Sequence, residues 1–81
     1  MITKQYYVRV DYVPDSDERG RIKYFDEVID KVMSIDNRIC HTGHTYASDA
    51  YYDCVVDSLK EAESIEKTIE AILTSYKYRI I

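Results

Sequence analysis

The sequence predicts an α+β fold: a ferredoxin-like split βαβ of order β-α-β-β-α-β, with a four-stranded antiparallel sheet and both helices on one face. Three observations carry that expectation. Residues 4–13, KQYYVRVDYV, alternate in polarity at the strand period. Residues 59–75 repeat apolar side chains at the helical period behind a serine. Only two Gly and one Pro interrupt 81 residues, so most of the chain should lie in regular elements of a single domain spanning 1–81.

The first strand puts Tyr6, Val8, Val10 and Tyr12 on one side, with Tyr7, Arg9 and Asp11 on the other. Pro14 helps end it, and PDSDERG follows as an acidic connection rich in turn formers. From Ile22 the period changes. Ile22, Phe25, Val28, Ile29, Val32 and Met33 recur at helical spacing, which predicts a helix over about 21–35. The alternative is a short strand, RIKYF, followed by a helix capped by Asp26.

The stretch RICHTGHTY, residues 38–46, holds both histidines and one of the two cysteines. It reads as the second strand, with Ala47–Asp49 as the turn into a third strand, Tyr51–Asp57. With that turn residue 46 pairs with 50, so 40 pairs with 56 and 42 with 54. Cys40, Cys54, Tyr52 and Val56 are then expected on one buried face, since free cysteine is among the most buried residue types. Ser58-Leu59-Lys60-Glu61 has the pattern of a capping box. Leu59, Ala62, Ile65, Ile69, Ile72 and Leu73 form the apolar stripe of the helix it opens, over about 59–75, and Glu63 and Lys67 are spaced for an i,i+4 ion pair. Residues 76–81, YKYRII, alternate again as the last strand.

Several motifs suggest chemistry and fall short of it. Zinc needs about four converging ligands. In a regular strand Cys40 and His44 face one way and His41 the other, unless a bulge at Gly43 re-aims one of them. No metal and no other cofactor is therefore expected. Asp15-Ser16-Asp17-Glu18-Arg19-Gly20, with Asp26 in twelfth place, partly mimics a calcium loop, but Arg19 stands where a ligand belongs and no helix precedes it. Tyr7 and Tyr51 on an open sheet face suggest base stacking, yet Asp11, Asp53 and Asp57 beside them would repel phosphates. Neither a phosphate-cradling glycine loop nor a nucleophile elbow is present, and Cys40 and its neighbour His41 point apart, so an enzyme is not expected.

The surface is what remains. Net charge is −4 and the sequence pI about 5.0, which disfavours nucleic acid or an anionic membrane as a direct partner. The first residues lack a signal-peptide core, no apolar run reaches membrane length, and two cysteines suit a reducing compartment, so a cytoplasmic location is expected. Nine Tyr without a Trp suit an interface. The expected function is a small acidic non-catalytic protein-binding module, a stoichiometric inhibitor or adaptor that occupies a basic surface of a partner protein. Small phage-type antagonists of host nucleic-acid-binding complexes have this general character. The expected contact residues are Tyr7 and Tyr51 on the sheet, Asp26 and Asp30 on the first helix, and Glu63, Glu66 and Glu70 on the second. The acids of the two helices are expected to merge into one negative surface, and a homodimer is the second association considered. The alternative function is a regulatory domain responsive to a small ligand or metal.

Overall fold

A computed structural model describes residues 4–43 and 50–81, in the order β1 (Tyr6–Val13), α1 (Phe25–Met33), β2 (Cys40–Thr42), β3 (Ala50–Val56), α2 (Leu59–Ser75) and β4 (Arg79–Ile80). The sheet is antiparallel throughout, with spatial order β2-β3-β1-β4. Thus β1 and β2, joined through α1, run parallel with β3 inserted between them, the split βαβ arrangement predicted. Val28 and Val32 of α1 and Ala62, Ile65, Ile69 and Leu73 of α2 enter one apolar cluster with the inward side chains of β1 and β3. Both helices therefore cover the same side of the sheet, α2 lying over β1, β3 and β4 and packing against α1.

The alternation read in β1 and β3 survives intact. Val8, Val10 and Tyr12 are buried, as are Ala50, Tyr52, Cys54 and Val56, and the residues between them face out. Register couples Val8 to Cys54 and Val10 to Tyr52 on the inner side, and Tyr7 to Val55 and Arg9 to Asp53 on the outer.

Register in β2 departs from expectation. Cys40 lies opposite Asp53 instead of Val56, and His41 lies opposite Tyr52. An offset of three residues is odd, and an odd offset exchanges the two faces of a strand. Cys40 is exposed, whereas Cys54 is buried as expected. His41 turns inward in its place. Its Nε2 lies 2.7 Å from the Tyr12 hydroxyl, a satisfied polar contact that a thiol supplies only weakly. Gly43 is required by close approach, since a Cβ there would stand 2.5 Å from that of Ala50. The rest of the expected strand, with His44, and the expected turn Ala47–Asp49 lie outside the described residues.

The first helix starts later than the periodicity suggests. Ile22 belongs to an isolated bridge with Ser16, yet still packs against the core, and so extends the apolar pattern upstream of the helix. The alternative strand RIKYF reduces to this bridge, and Asp26 sits inside the first turn, not at the cap. The N-cap is Tyr24, left-handed at φ 59° and without a side-chain cap bond. Its neighbour is held at both ends: the Lys23 N–H donates to the Asp15 carbonyl, and the Tyr78 hydroxyl donates to the Lys23 carbonyl. Upstream, the Asp17 carboxylate accepts the N–H groups of Arg19 and Arg21, which hold its carboxyl below the usual range, and Lys23 pairs with Asp15. The two acids that imitate calcium ligands are thus engaged within their own loop.

The second helix matches its predicted bounds. Ser58 accepts the Glu61 N–H at 3.1 Å, while the Glu61 carboxylate is shared with Arg38. Arg38 also reaches Asp36 at 2.8 Å and Asp57 at 3.9 Å, joining the approach to β2, the end of β3 and the start of α2. The guanidinium lowers the Asp36 carboxyl to about 2. The Glu63–Lys67 ion pair does not form among the described residues; both side chains stand in solvent, where such a pair gains little.

At its other end α2 stops where the last strand was expected to begin. Tyr76 is the C-cap, the Lys77 N–H donates to the Thr74 carbonyl, and the Tyr78 N–H donates to the Leu73 carbonyl. This pair of bonds is a Schellman motif, and it sets Lys77 at φ 63° in the position that glycine ordinarily takes. A left-handed conformation strains a residue with a Cβ, while glycine gives back part of the gain through its greater freedom when unfolded. Lys77→Gly should therefore stabilise the fold by about 0.5–1 kcal/mol, raising the melting temperature by several degrees in a thermal unfolding experiment. A lower melting temperature would show that the lysine side chain outweighs the strain.

Candidate interaction surfaces

The uncovered side of the sheet presents Tyr7, Arg9 and Asp11 from β1 and Tyr51, Asp53 and Val55 from β3. Tyr7 is 60% exposed and Val55 is 45% exposed, and the two are direct cross-strand partners. Their neighbours interlock. The Arg9 guanidinium lies over the Tyr51 ring, 3.7 Å from its centroid, and forks onto both oxygens of Asp11 at 3.0–3.2 Å. The Tyr7 hydroxyl donates to Asp53 at 2.7 Å, and that bond is the first cause of its raised pKa. Tyr7 and Tyr51 thus lie on the face predicted, but differ in kind: Tyr7 offers apolar surface and Tyr51 is roofed by Arg9. The acids expected to make this face repellent are largely engaged. Asp11 is neutralised by Arg9, Asp53 accepts from Tyr7, and Asp57 lies within reach of Arg38. Cys40 opens onto the same side, in a hollow lined also by Tyr7, Asp53 and Val55. Two of these roles were open to sequence reasoning. Arg9, flanked by Tyr7 and Asp11 at strand spacing, was the natural cation for a cross-strand ring, and Cys40 needed only the correct register.

The acids of the helices divide differently from expectation. Glu61 turns toward Arg38 in the connection after α1, Tyr76 meets Tyr24 at 5.6 Å, and the Lys31 ammonium lies 5.0 Å over the Tyr76 ring. Those contacts mark the seam between the helices. At 100° per residue, Glu63, Glu66 and Glu70 fall on the flank of α2 away from that seam, and Asp26 and Asp30 on the flank of α1 away from it. On that helical geometry the two groups fall on opposite flanks instead of merging, with the Tyr24, Lys31 and Tyr76 contacts between them. Glu63, Glu66, Lys67 and Glu70 line one shallow depression of their own.

On the inner side, polar aromatic groups gather at one end of the sheet. Tyr12 stacks on Tyr52 at 5.4 Å and on Tyr78 at 5.6 Å, and His41 lies 4.5 Å from Tyr52. Burial pushes all three phenols up, Tyr78 to about 12, and pushes His41 down. The Tyr52 hydroxyl has no hydrogen-bond partner among the described residues. Cys40 and His41 project from opposite faces, and no group of three or more His, Cys, Asp or Glu is placed to hold a metal ion among the described residues; His44 lies outside them. No helix among the described residues is long and apolar enough to cross a membrane. No protein-family model, curated protein or solved structure matches the chain.

The inverted register makes the cysteines distinguishable. Cys40 should react with a small maleimide at the rate of an open thiol, whereas Cys54, whose thiol is pushed up by burial, should react at least tenfold more slowly in native protein. Equal rates, read by mass spectrometry of labelled peptides, would contradict the β2 register.

His41 gives a second expectation. Its folded pKa lies below the unfolded value of about 6.5, so the unfolded chain binds the extra proton. Stability from the neutral imidazole is complete above that unfolded value and is lost as pH falls through the depressed folded one. Melting temperatures between pH 8 and pH 5 should fall more steeply for wild type than for His41→Gln. Parallel curves would remove His41 as the source.

Proposed function

We propose that this chain is a non-catalytic protein-binding module, a stoichiometric inhibitor or adaptor that occupies a basic surface of a partner protein through the outer flank of α2. One observation supports the reading above others: the distribution of engaged and free acids. Asp11, Asp15, Asp17, Asp36, Asp57 and Glu61 each stand in an ion pair. Glu63, Glu66 and Glu70 have none among the described residues, and neither do Asp26 and Asp30.

Spacing sharpens the point. Glu66 follows Glu63 by three residues and precedes Glu70 by four, so each is a like-charged neighbour of the next on the helix surface. Lys67 offsets only part of this repulsion in the free helix, and cations from outside relieve the rest. A basic partner supplies them, and the long-range field of the stripe steers it in. Asp26 and Asp30 lie across the seam and add to the field without sharing the contact.

The test compares wild type with E66K/E70K and with D26K/D30K. Partners are captured from the source cell and identified by mass spectrometry, and their association rates are then measured across ionic strength. All three proteins should melt within about a degree of one another, because exposed charges contribute little to stability. The wild-type on-rate should fall as salt rises, exposed charges being screened beyond a Debye length of about 8 Å. E66K/E70K should lower the rate at least tenfold and D26K/D30K much less. A captured partner whose rate ignores both salt and E66K/E70K would overturn the assignment.

A further inference from the structure

We infer that the open sheet face is a homodimer interface, packed against the same face of a second copy of this chain. The inference is independent of the role given to α2 and concerns the opposite side of the molecule.

Charge selects the occupant. Along the two central strands, the outward residues that carry charge are Arg9, Asp11 and Asp53. Arg79, outward on β4 opposite Val13, and the Arg38–Asp57 pair at the end of β3 bring the face to three cations and three anions among the described residues. The face is neutral, so neither a basic nor an acidic partner is favoured over a surface of the same mixed kind. A copy of itself is such a surface, and a two-fold axis presents each cation of one protomer to the anion-bearing face of the other. The helix side is closed to self-association by the same reasoning, since two flanks bearing Glu63, Glu66 and Glu70 repel.

Satisfaction of the polar groups favours the same outcome. Burying a charge is expensive unless it is already paired and hydrogen-bonded. Arg9 arrives with its fork on Asp11 and its guanidinium over Tyr51, and Asp53 arrives with the Tyr7 hydroxyl. The central strip can lose its water without leaving these groups stranded, and their geometry is set before contact. What it gains is cover for Tyr7 and Val55, the exposed pair at the end of the strip. In an isologous contact Tyr7 of each protomer can lie on Val55 of the other, across the roughly 10 Å that separates stacked sheets.

The test is sedimentation equilibrium on the whole chain over a wide concentration range, for wild type and Val55→Lys, with amide chemical shifts of the wild type followed on dilution. Val55 is largely exposed and on the side away from the core, so the lysine variant should keep its circular dichroism. Wild type should reach twice the monomer mass, Val55→Lys should weaken the dimer at least tenfold, and the dilution shifts should concentrate on β1 and β3. If Val55→Lys fails to fold, the dilution shifts decide alone. A wild type that stays monomeric to about millimolar concentration would give the face to a different partner and overturn the proposal. So would shifts confined to α1 and α2, or a dimer indifferent to Val55→Lys in the folded variant.

Discussion

A row of aromatic rings running obliquely across the sheet is the constraint on which the rest depends. His41 on β2, Tyr52 on β3, Tyr12 on β1 and Tyr78 just ahead of β4 follow one another at 4.5, 5.4 and 5.6 Å. Every strand, or its approach, contributes one ring, and side chains change face at each residue. A slip of one residue in any strand therefore withdraws its ring from the row and sends it to solvent. Aromatic pairs of this sort contribute about 0.5–1.5 kcal/mol each beyond the area they bury. The row also ties the sheet to α1, through the Phe25 edge against His41 and the Tyr78 hydroxyl on the Lys23 carbonyl ahead of the helix. Once the row is in place, the identity of the open face follows: Tyr7, Arg9, Tyr51 and Asp53 are outward because Tyr12 and Tyr52 are inward.

Elements that carry their own period and their own stop were legible in the sequence. The β1 and β3 alternation and the Ser58 cap of α2 are local properties, and the structure keeps them with shifts of two residues or fewer. The outward parity of Tyr7 and Tyr51 came from the same source. β2 was not legible, because its faces are decided by its pairing with a neighbour and not by its own pattern. The preference of cysteine for burial pointed Cys40 inward. A stronger demand acted against it: the Tyr12 hydroxyl, buried beside Tyr52, needs a polar partner that His41 can supply and a thiol supplies poorly. The start of α1 was obscured for a related reason. Ile22 packs on the core from a non-helical bridge, and Tyr24 enters the helix through a left-handed conformation that no capping residue announces. The split of the acidic surface was likewise hidden, since charge counts carry no information about which flank faces a neighbouring helix.

The two sides of the molecule solve the problem of charge in opposite ways. On the sheet the acids are drawn into pairs with Arg9 and Tyr7, and the result is balanced in charge among the described residues. On the flanks of the helices they are left unpaired, and the result is a field that reaches into solvent. A net charge of −4 therefore describes neither side. The Arg38 cluster lies between the two regimes. It gathers Asp36, Asp57 and Glu61 around one guanidinium where the end of β3, the start of α2 and the approach to β2 converge.

The brevity of β4 has a consequence of its own. An edge strand offers unpaired backbone groups along its free side, and a long flat edge recruits further strands until a fibre grows. Here β4 holds only Arg79 and Ile80, and Arg79 places a charge beside any chain that approached. Beyond it, residues 6–11 of β1 have no strand partner on that side among the described residues, so the border is short at β4 and continues along β1. The contact proposed for the broad side differs in kind, because a two-fold contact uses up the surface that made it. In that contact the tyrosine and valine displayed to water would be covered in a finite particle, whereas growth along the β1 border would give an open-ended ribbon.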